Sequence, residues 1–198
     1  MATLRITTVL HIRTDSALET ERVGKFLARS IAQNLLIALR GDLGAGKTTF
    51  TRGLARGLGV QEAITSPTFT FINEYVAEDN DRGLCRLIHV DVYRLPEDAQ
   101  VLQEVETIGF ADVLDELEEA APGRCTVCVV EWAERLAAIL PSDRLEVHLA
   151  TEAENPHARL LRLQGTGPVA QGVLARLEKI WHEGKAEQAG ALVQEGRG

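Results

Sequence analysis

Apolar and polar positions follow two rhythms along this chain, and the switching between them outlines an α/β protein. Leu35-Leu36-Ile37-Ala38-Leu39 and Val127-Cys128-Val129-Val130 are short unbroken apolar runs. Such runs suit strands buried on both faces, as in a parallel sheet. Helical spacing appears elsewhere. Ser16 and Glu19 have the separation of a capping box, which predicts a helix from there to about Ala32. Leu18, Val23, Phe26, Leu27 and Ile31 are its expected buried face. A second helix is predicted from Thr49 to Leu58, ended by Gly57 and Gly59, and another from about Val169 to Trp181.

The segments between these fill in the rest. Residues 4–12 read as a strand. Ile64 to Val76 begins with a Thr65-Ser66-Pro67-Thr68 turn and continues through β-formers. Asp79-Asn80-Asp81-Arg82-Gly83 is a turn signal, so Leu84 to Val90 is expected to fold back as a hairpin. Pro96 opens an acidic helical region to about Ala121, broken near Gly109. Two strands near Leu145–Leu149 and Leu160–Leu163 flank a turn at Asn155-Pro156. The fold class that follows is α/β: a three-layer sandwich with a mostly parallel central sheet plus antiparallel strands. Residues 1–182 are expected to form one domain. Residues 183–198, rich in Gly, Glu and Gln, are expected to be a flexible tail.

One loop carries chemistry. Gly41-Asp42-Leu43-Gly44-Ala45-Gly46-Lys47-Thr48 matches the G-x-x-x-x-G-K-[ST] phosphate-binding pattern at every fixed position. It lies between a predicted strand and a predicted helix, the context the motif requires. The glycines permit a tight turn whose N–H groups point inward at phosphate oxygens. The helix that follows presents its positive end to the same anion. Leu43, Gly44, Ala45, Gly46, Lys47, Thr48 and Thr49 are therefore candidate nucleotide contacts. Lys47 is expected to reach the β- and γ-phosphates and Thr48 to hold Mg²⁺. The fold class thereby narrows to the P-loop NTPase type.

Two predicted strands end in acids, Leu87-Ile88-His89-Val90-Asp91 and Val127-Cys128-Val129-Val130-Glu131. In an open parallel sheet the ligand crevice lies at the carboxyl ends of the strands. Asp91 and Glu131 are thus candidates to serve the metal and the attacking water. Glu131 stands where P-loop proteins commonly carry Asp. Trp132 reads equally as core packing or as a wall of the nucleotide site. Ser66, Pro67 and Thr68 form a stiffened turn suited to closing over a γ-phosphate.

Charge and cysteines narrow the class further. The 198 residues carry a formal net charge of −8, which argues against a binder driven by phosphate neutralisation along nucleic acid. No run is long enough to span a membrane, and the N-terminus lacks signal-peptide features. A cytoplasmic protein without membrane association is expected. Cys125 and Cys128 form a C-x-x-C inside a predicted strand, where residues three apart face opposite sides. Buried reduced thiols are expected there rather than a metal set.

The residues together resemble a known family. The phosphate loop through Phe50, Ser66-Pro67-Thr68-Phe69-Thr70, His89-Val90-Asp91-Val92-Tyr93-Arg94-Leu95, Glu106-Thr107-Ile108-Gly109 and Val129-Val130-Glu131-Trp132 follow in the order and spacing of TsaE. This is the small bacterial P-loop ATPase of threonylcarbamoyladenosine (t6A) tRNA modification. The resemblance spans roughly residues 14–165. It implies ATP and Mg²⁺ as cofactors, and an ATP hydrolase whose activity is weak without partners. Thr48 and Glu131 would coordinate Mg²⁺, Lys47 would bind phosphates, and Asp91 would be needed for hydrolysis. Ser66, Pro67 and Thr68 would be the switch loop, and Ser16 would approach the nucleotide. His89, Tyr93 and Arg94 would position the site or face a partner. The implied partners are TsaB and TsaD, with tRNA contacted only through their complex. The resemblance implies that this subunit acts on that pair by ATP binding and hydrolysis and does not perform the transfer.

Rival readings use the same loop. A small-molecule kinase with a P-loop fold would need an acceptor pocket and usually an Arg-rich lid, and no such lid is evident. A GTPase would show an N-K-x-D segment, which is absent. A nucleotide-binding adaptor with negligible turnover would not need Lys47, Thr48, Asp91 and Glu131 together.

Overall fold

The computed structural model describes residues 9–79, 83–96, 101–119 and 124–195. The turn residues 80–82 and the expected strand start at residues 4–8 lie outside the described residues. Among the described residues seven strands form one sheet in the order β1-β7-β6-β2-β5-β4-β3. They are β1 (Val9–Thr14), β2 (Leu35–Arg40), β3 (Ile72–Asp79), β4 (Gly83–Asp91), β5 (Arg124–Glu131), β6 (Leu145–Thr151) and β7 (Arg159–Gly165). β6, β2, β5 and β4 run parallel, while β1, β7 and β3 pair antiparallel at the two edges. The mostly parallel centre with antiparallel flanks is thus as the apolar runs predicted.

Helices cover both faces. α1 (Ala17–Ser30), α2 (Lys47–Leu58) and α5 (Pro168–Glu195) pack on one side. α3 (Val101–Thr107), α4 (Phe110–Glu118) and a 3₁₀ turn at Ala133–Leu136 pack on the other. β2 is central and its apolar run serves both layers: Leu35, Ile37 and Leu39 face α1 and α2, and Leu36 and Ala38 face the opposite core. Strand alternation also separates Cys125 from Cys128, one in each core. Both are buried, and burial pushes the Cys128 thiol well above the ordinary range.

The placement of α2 decides where the phosphate loop sits. A Cβ added at Gly53 would lie 1.8 Å from the Glu21 carbonyl oxygen, and one at Gly24 would lie 2.3 Å from the Phe50 carbonyl oxygen. Only glycine lets α1 and α2 cross backbone to backbone. At the far end Gly59, with φ 96°, caps α2 by donating to the Ala55 and Arg56 carbonyls. Gly57 does not help end the helix. It lies inside it, where a Cβ would meet Ala28 at 2.5 Å.

Two helical expectations need correction. Leu18 is 74% exposed. The buried positions of α1 include Thr20, Val23, Gly24, Leu27 and Ala28, spaced i, i+3, i+4, i+7 and i+8, and Leu18 falls outside that stripe. Phe26, expected on the same face, lies at its edge, half-buried against Trp181. The second correction concerns α5, which continues to Glu195 instead of ending near Trp181. The added residues include Ala186, Glu187, Gln188, Ala189, Ala191 and Leu192, strong helix formers that extend a helix without an apolar stripe. Gly109, by contrast, breaks α3 from α4 as expected, with φ 75°. Among the described residues no helix is long and apolar enough to cross a membrane.

Candidate active site

The chain leaves β2 at Arg40 and turns through the phosphate loop into α2. Gly41 has φ 135°, and a Cβ there would sit 2.1 Å from the Leu149 carbonyl oxygen. Gly46 caps the start of α2 in the left-handed region, φ 101°. These are the conformations the glycine pattern anticipates. Ala45 is buried beneath the loop, and its N–H donates to the Asp42 carbonyl (3.1 Å). The first turn of α2 then points its N–H groups at the strand ends.

Lys47 is 4% exposed and turns back over the loop. Its Nζ donates to the Gly41 carbonyl (2.6 Å) and the Asp42 carbonyl (3.0 Å). It also lies 3.7 Å from the centroid of the Trp132 ring. Burial pulls the ammonium below the ordinary lysine range, opposed first by Glu131 and then by Glu134, Asp91 and Asp42. Trp132 packs against the core and also lines the cleft, so the geometry accommodates both of its readings. It is only partly buried and stacks at a tilt on Tyr93 (4.9 Å).

The two strand-end acids are direct register partners, Asp91 opposite Glu131. Both are almost fully buried. Glu131 accepts from the Thr48 hydroxyl at 2.9 and 3.1 Å and lies 2.8 Å from His89 Nε2. Asp91 Oδ2 accepts from the hydroxyls of Ser66 and Thr68, both at 2.6 Å, and Oδ1 accepts from the Tyr93 N–H (3.0 Å). Pro67 is buried, and its carbonyl accepts from the Thr70 and Phe71 N–H groups. This turn delivers Ser66 and Thr68 to Asp91.

Among the described residues two non-glycine positions take the left-handed region, Phe71 (φ 63°) and Trp132 (φ 62°). Each costs on the order of 1–3 kcal/mol. Phe71 directly precedes β3, and its carbonyl accepts from the Asp91 N–H (2.9 Å). Trp132 directly follows Glu131. The strained backbone therefore sits beside the two acids.

Leu43, Gly44, Gly46, Lys47, Thr48, Thr49, Ser66, Thr68, Asp91, Tyr93, Glu131 and Trp132 line one cleft of about 390 Å³. Ser16 is not among them: its hydroxyl caps α1 by accepting from the Glu19 N–H (3.2 Å). Ala45 and Pro67 lie behind the lining, one under the loop and the other under the turn. Arg159, at the start of β7, was not anticipated. It donates to the Gly44 carbonyl (3.1 Å) and places a cation at the loop. No motif marks it, because its place comes from the antiparallel return of β7.

The donor set suits Mg²⁺. A hydroxyl and a carboxylate converge at Thr48 and Glu131, and both are hard oxygen ligands. Among the described residues no group of three or more His, Cys, Asp or Glu is gathered for a metal.

Comparison with known proteins agrees with this geometry. The family model for "Threonylcarbamoyl adenosine biosynthesis protein TsaE" matches residues 14–160. The chain is 42% identical over 135 residues to the tRNA threonylcarbamoyladenosine biosynthesis protein TsaE of Bacillus subtilis, covering 68% of this chain and 73% of that one. It is 40% identical over 139 residues to the protein of the same name from Treponema pallidum, covering 70% and 90%. The crystal structure of Bacillus subtilis YdiB superimposes with a TM-score of 0.65 at 28% identity, covering 88% of this chain and 97% of that one. With the phosphate loop, the α/β layers and the family match in agreement, the chain belongs to the TsaE family and has a P-loop NTPase fold.

Proposed function

We propose that this chain is a Mg²⁺-dependent ATPase of t6A tRNA modification, with residues 1–182 as its single ATPase domain. It acts in the cytoplasm on the TsaB–TsaD pair, meets tRNA only through that complex, and does not itself perform the transfer. One observation carries the reading. Lys47, Thr48, Asp91 and Glu131, drawn from α2, β4 and β5, face a single cleft together with Ser66 and Thr68.

The roles follow from the contacts. Loop N–H groups and the α2 N-terminus bind phosphate oxygens, and Lys47 neutralises their charge. Thr48 and Glu131 hold Mg²⁺, which when bound offsets negative charge on the β- and γ-phosphates. Hydrolysis forms a bond from a water oxygen to the γ-phosphorus and breaks the bond from that phosphorus to the β–γ bridging oxygen. Glu131 is held by Thr48 at the metal position, and Asp91, its register neighbour, is assigned to orient the water and take up its proton. Ser66 and Thr68 tie the switch loop to that same carboxylate.

Reconstituted tRNA modification tests this role. With TsaB–TsaD, tRNA and threonylcarbamoyl-adenylate, wild-type chain plus ATP is expected to sustain repeated modification. Asp91→Ala should not. Repeated turnover that is indifferent to the variant, or to omitting the chain, would overturn the reading.

A further inference from the structure

We propose that His89 is a positioning residue, fixing the Glu131 carboxylate for divalent-cation binding; the proposal rests on the ATPase reading above. His89 lies on β4 and is fully buried. Cys85 and Leu87, on the same face of that strand, are core residues. An apolar side chain would continue the pattern at no polar cost. The imidazole instead brings two nitrogens into the interior. Among the described residues Nδ1 is buried without a hydrogen-bond partner. The remaining nitrogen, Nε2, lies 2.8 Å from Glu131 Oε1.

The register explains how the contact arises. Val129 is opposite His89 and Asp91 is opposite Glu131. His89 therefore reaches Glu131 diagonally, from one pair deeper on the same sheet face. The Nε2–H donates and the carboxylate accepts. Thr48 holds the same carboxylate from the first turn of α2. A strand and a helix thus grip one acid from two sides, and only the Thr48 contact falls on Oε2. Outer partners of this kind set the orientation and basicity of a metal-binding carboxylate.

The test is a Mg²⁺ titration of binding to a fluorescent ATP analogue, run on His89→Leu and His89→Gln. Leucine removes the donor, while the glutamine amide nitrogen extends to the place of Nε2. His89→Leu is expected to raise the Mg²⁺ requirement about 10–100-fold. Nucleotide affinity without Mg²⁺, which depends on the loop and Lys47, should stay near wild type. His89→Gln is expected to recover most of the loss. A folded His89→Leu with an unchanged Mg²⁺ requirement would overturn the proposal, as would glutamine performing no better than leucine. If His89→Leu fails to fold, His89→Asn replaces it, because its shorter amide ends near Nδ1. Glutamine should then outperform asparagine, and equality overturns the proposal. Wild-type nucleotide binding that ignores Mg²⁺ would overturn this proposal alone, whereas a wild-type chain that hydrolyses no ATP with Mg²⁺ and TsaB–TsaD would overturn the ATPase reading.

Discussion

Asp91 and Glu131 stand side by side at the ends of β4 and β5, yet different parts of the molecule hold them. Glu131 is gripped by Thr48 on α2 and His89 on β4, both within regular elements. Asp91 is gripped by Ser66 and Thr68, on a loop between α2 and β3. Two carboxylates of similar burial thereby differ in what can move them. Rigid scaffolding suits a metal ligand, whose geometry must persist. Attachment to a loop suits a group whose alignment changes when a partner or a phosphate reorders that loop.

The largest expected effect separates the two acids directly. Asp91→Ala should lower hydrolysis by about 10²–10⁴-fold, the range for a lost proton acceptor, with ATP affinity largely kept. Glu131→Ala should instead raise the Mg²⁺ requirement for tight binding by at least about 100-fold. Parallel measurement of hydrolysis and of Mg²⁺-dependent binding checks both. If the two variants lose the same property to the same degree, the division of roles is wrong.

A smaller effect probes the loop. Ser66→Ala and Thr68→Ala each remove one hydrogen bond to a carboxylate, worth roughly 1.5–3 kcal/mol at most and about tenfold in rate at the lower end. Both hydroxyls meet Asp91 Oδ2 and also contact each other (2.8 Å). The double variant should therefore lose less than the product of the single losses. Strictly multiplicative losses in hydrolysis rate would show that the hydroxyls act separately. Neither change should alter the Mg²⁺ requirement set by Glu131.

The smallest effect concerns pH. Burial lowers the Lys47 pKa, so its positive charge is lost as pH rises through a value below that of an ordinary lysine. ATP affinity should accordingly begin to fall at a pH below the range in which an ordinary lysine titrates. Lys47→Ala, already severely weakened in ATP binding, should show no such step. An affinity that stays flat into the ordinary lysine range would mean that bound phosphates, together with Glu131, fully restore the cation.

What the sequence made legible was what is local. The phosphate loop, α2 and the hairpin of β3 and β4 follow from residues adjacent in the chain. The strand-end acids were legible because the apolar runs leading into them mark central parallel strands. What escaped depends on contacts distant in sequence. His89 stands near Asp91 in the chain, but its bond is to Glu131 across the strand pair. Arg159 reaches Gly44 over 115 positions. Leu18 was misread because apolar character alone does not give the phase of a helix, which the glycine contacts of α1 with α2 decide.

The most direct test of the central claim is ATP hydrolysis by the purified chain with Mg²⁺, alone and with TsaB–TsaD, using Asp91→Ala as control. The account predicts weak turnover alone, strong stimulation by the pair, and loss of both in the variant. Robust turnover indifferent to the pair, or phosphate passed to a small acceptor, would contradict it.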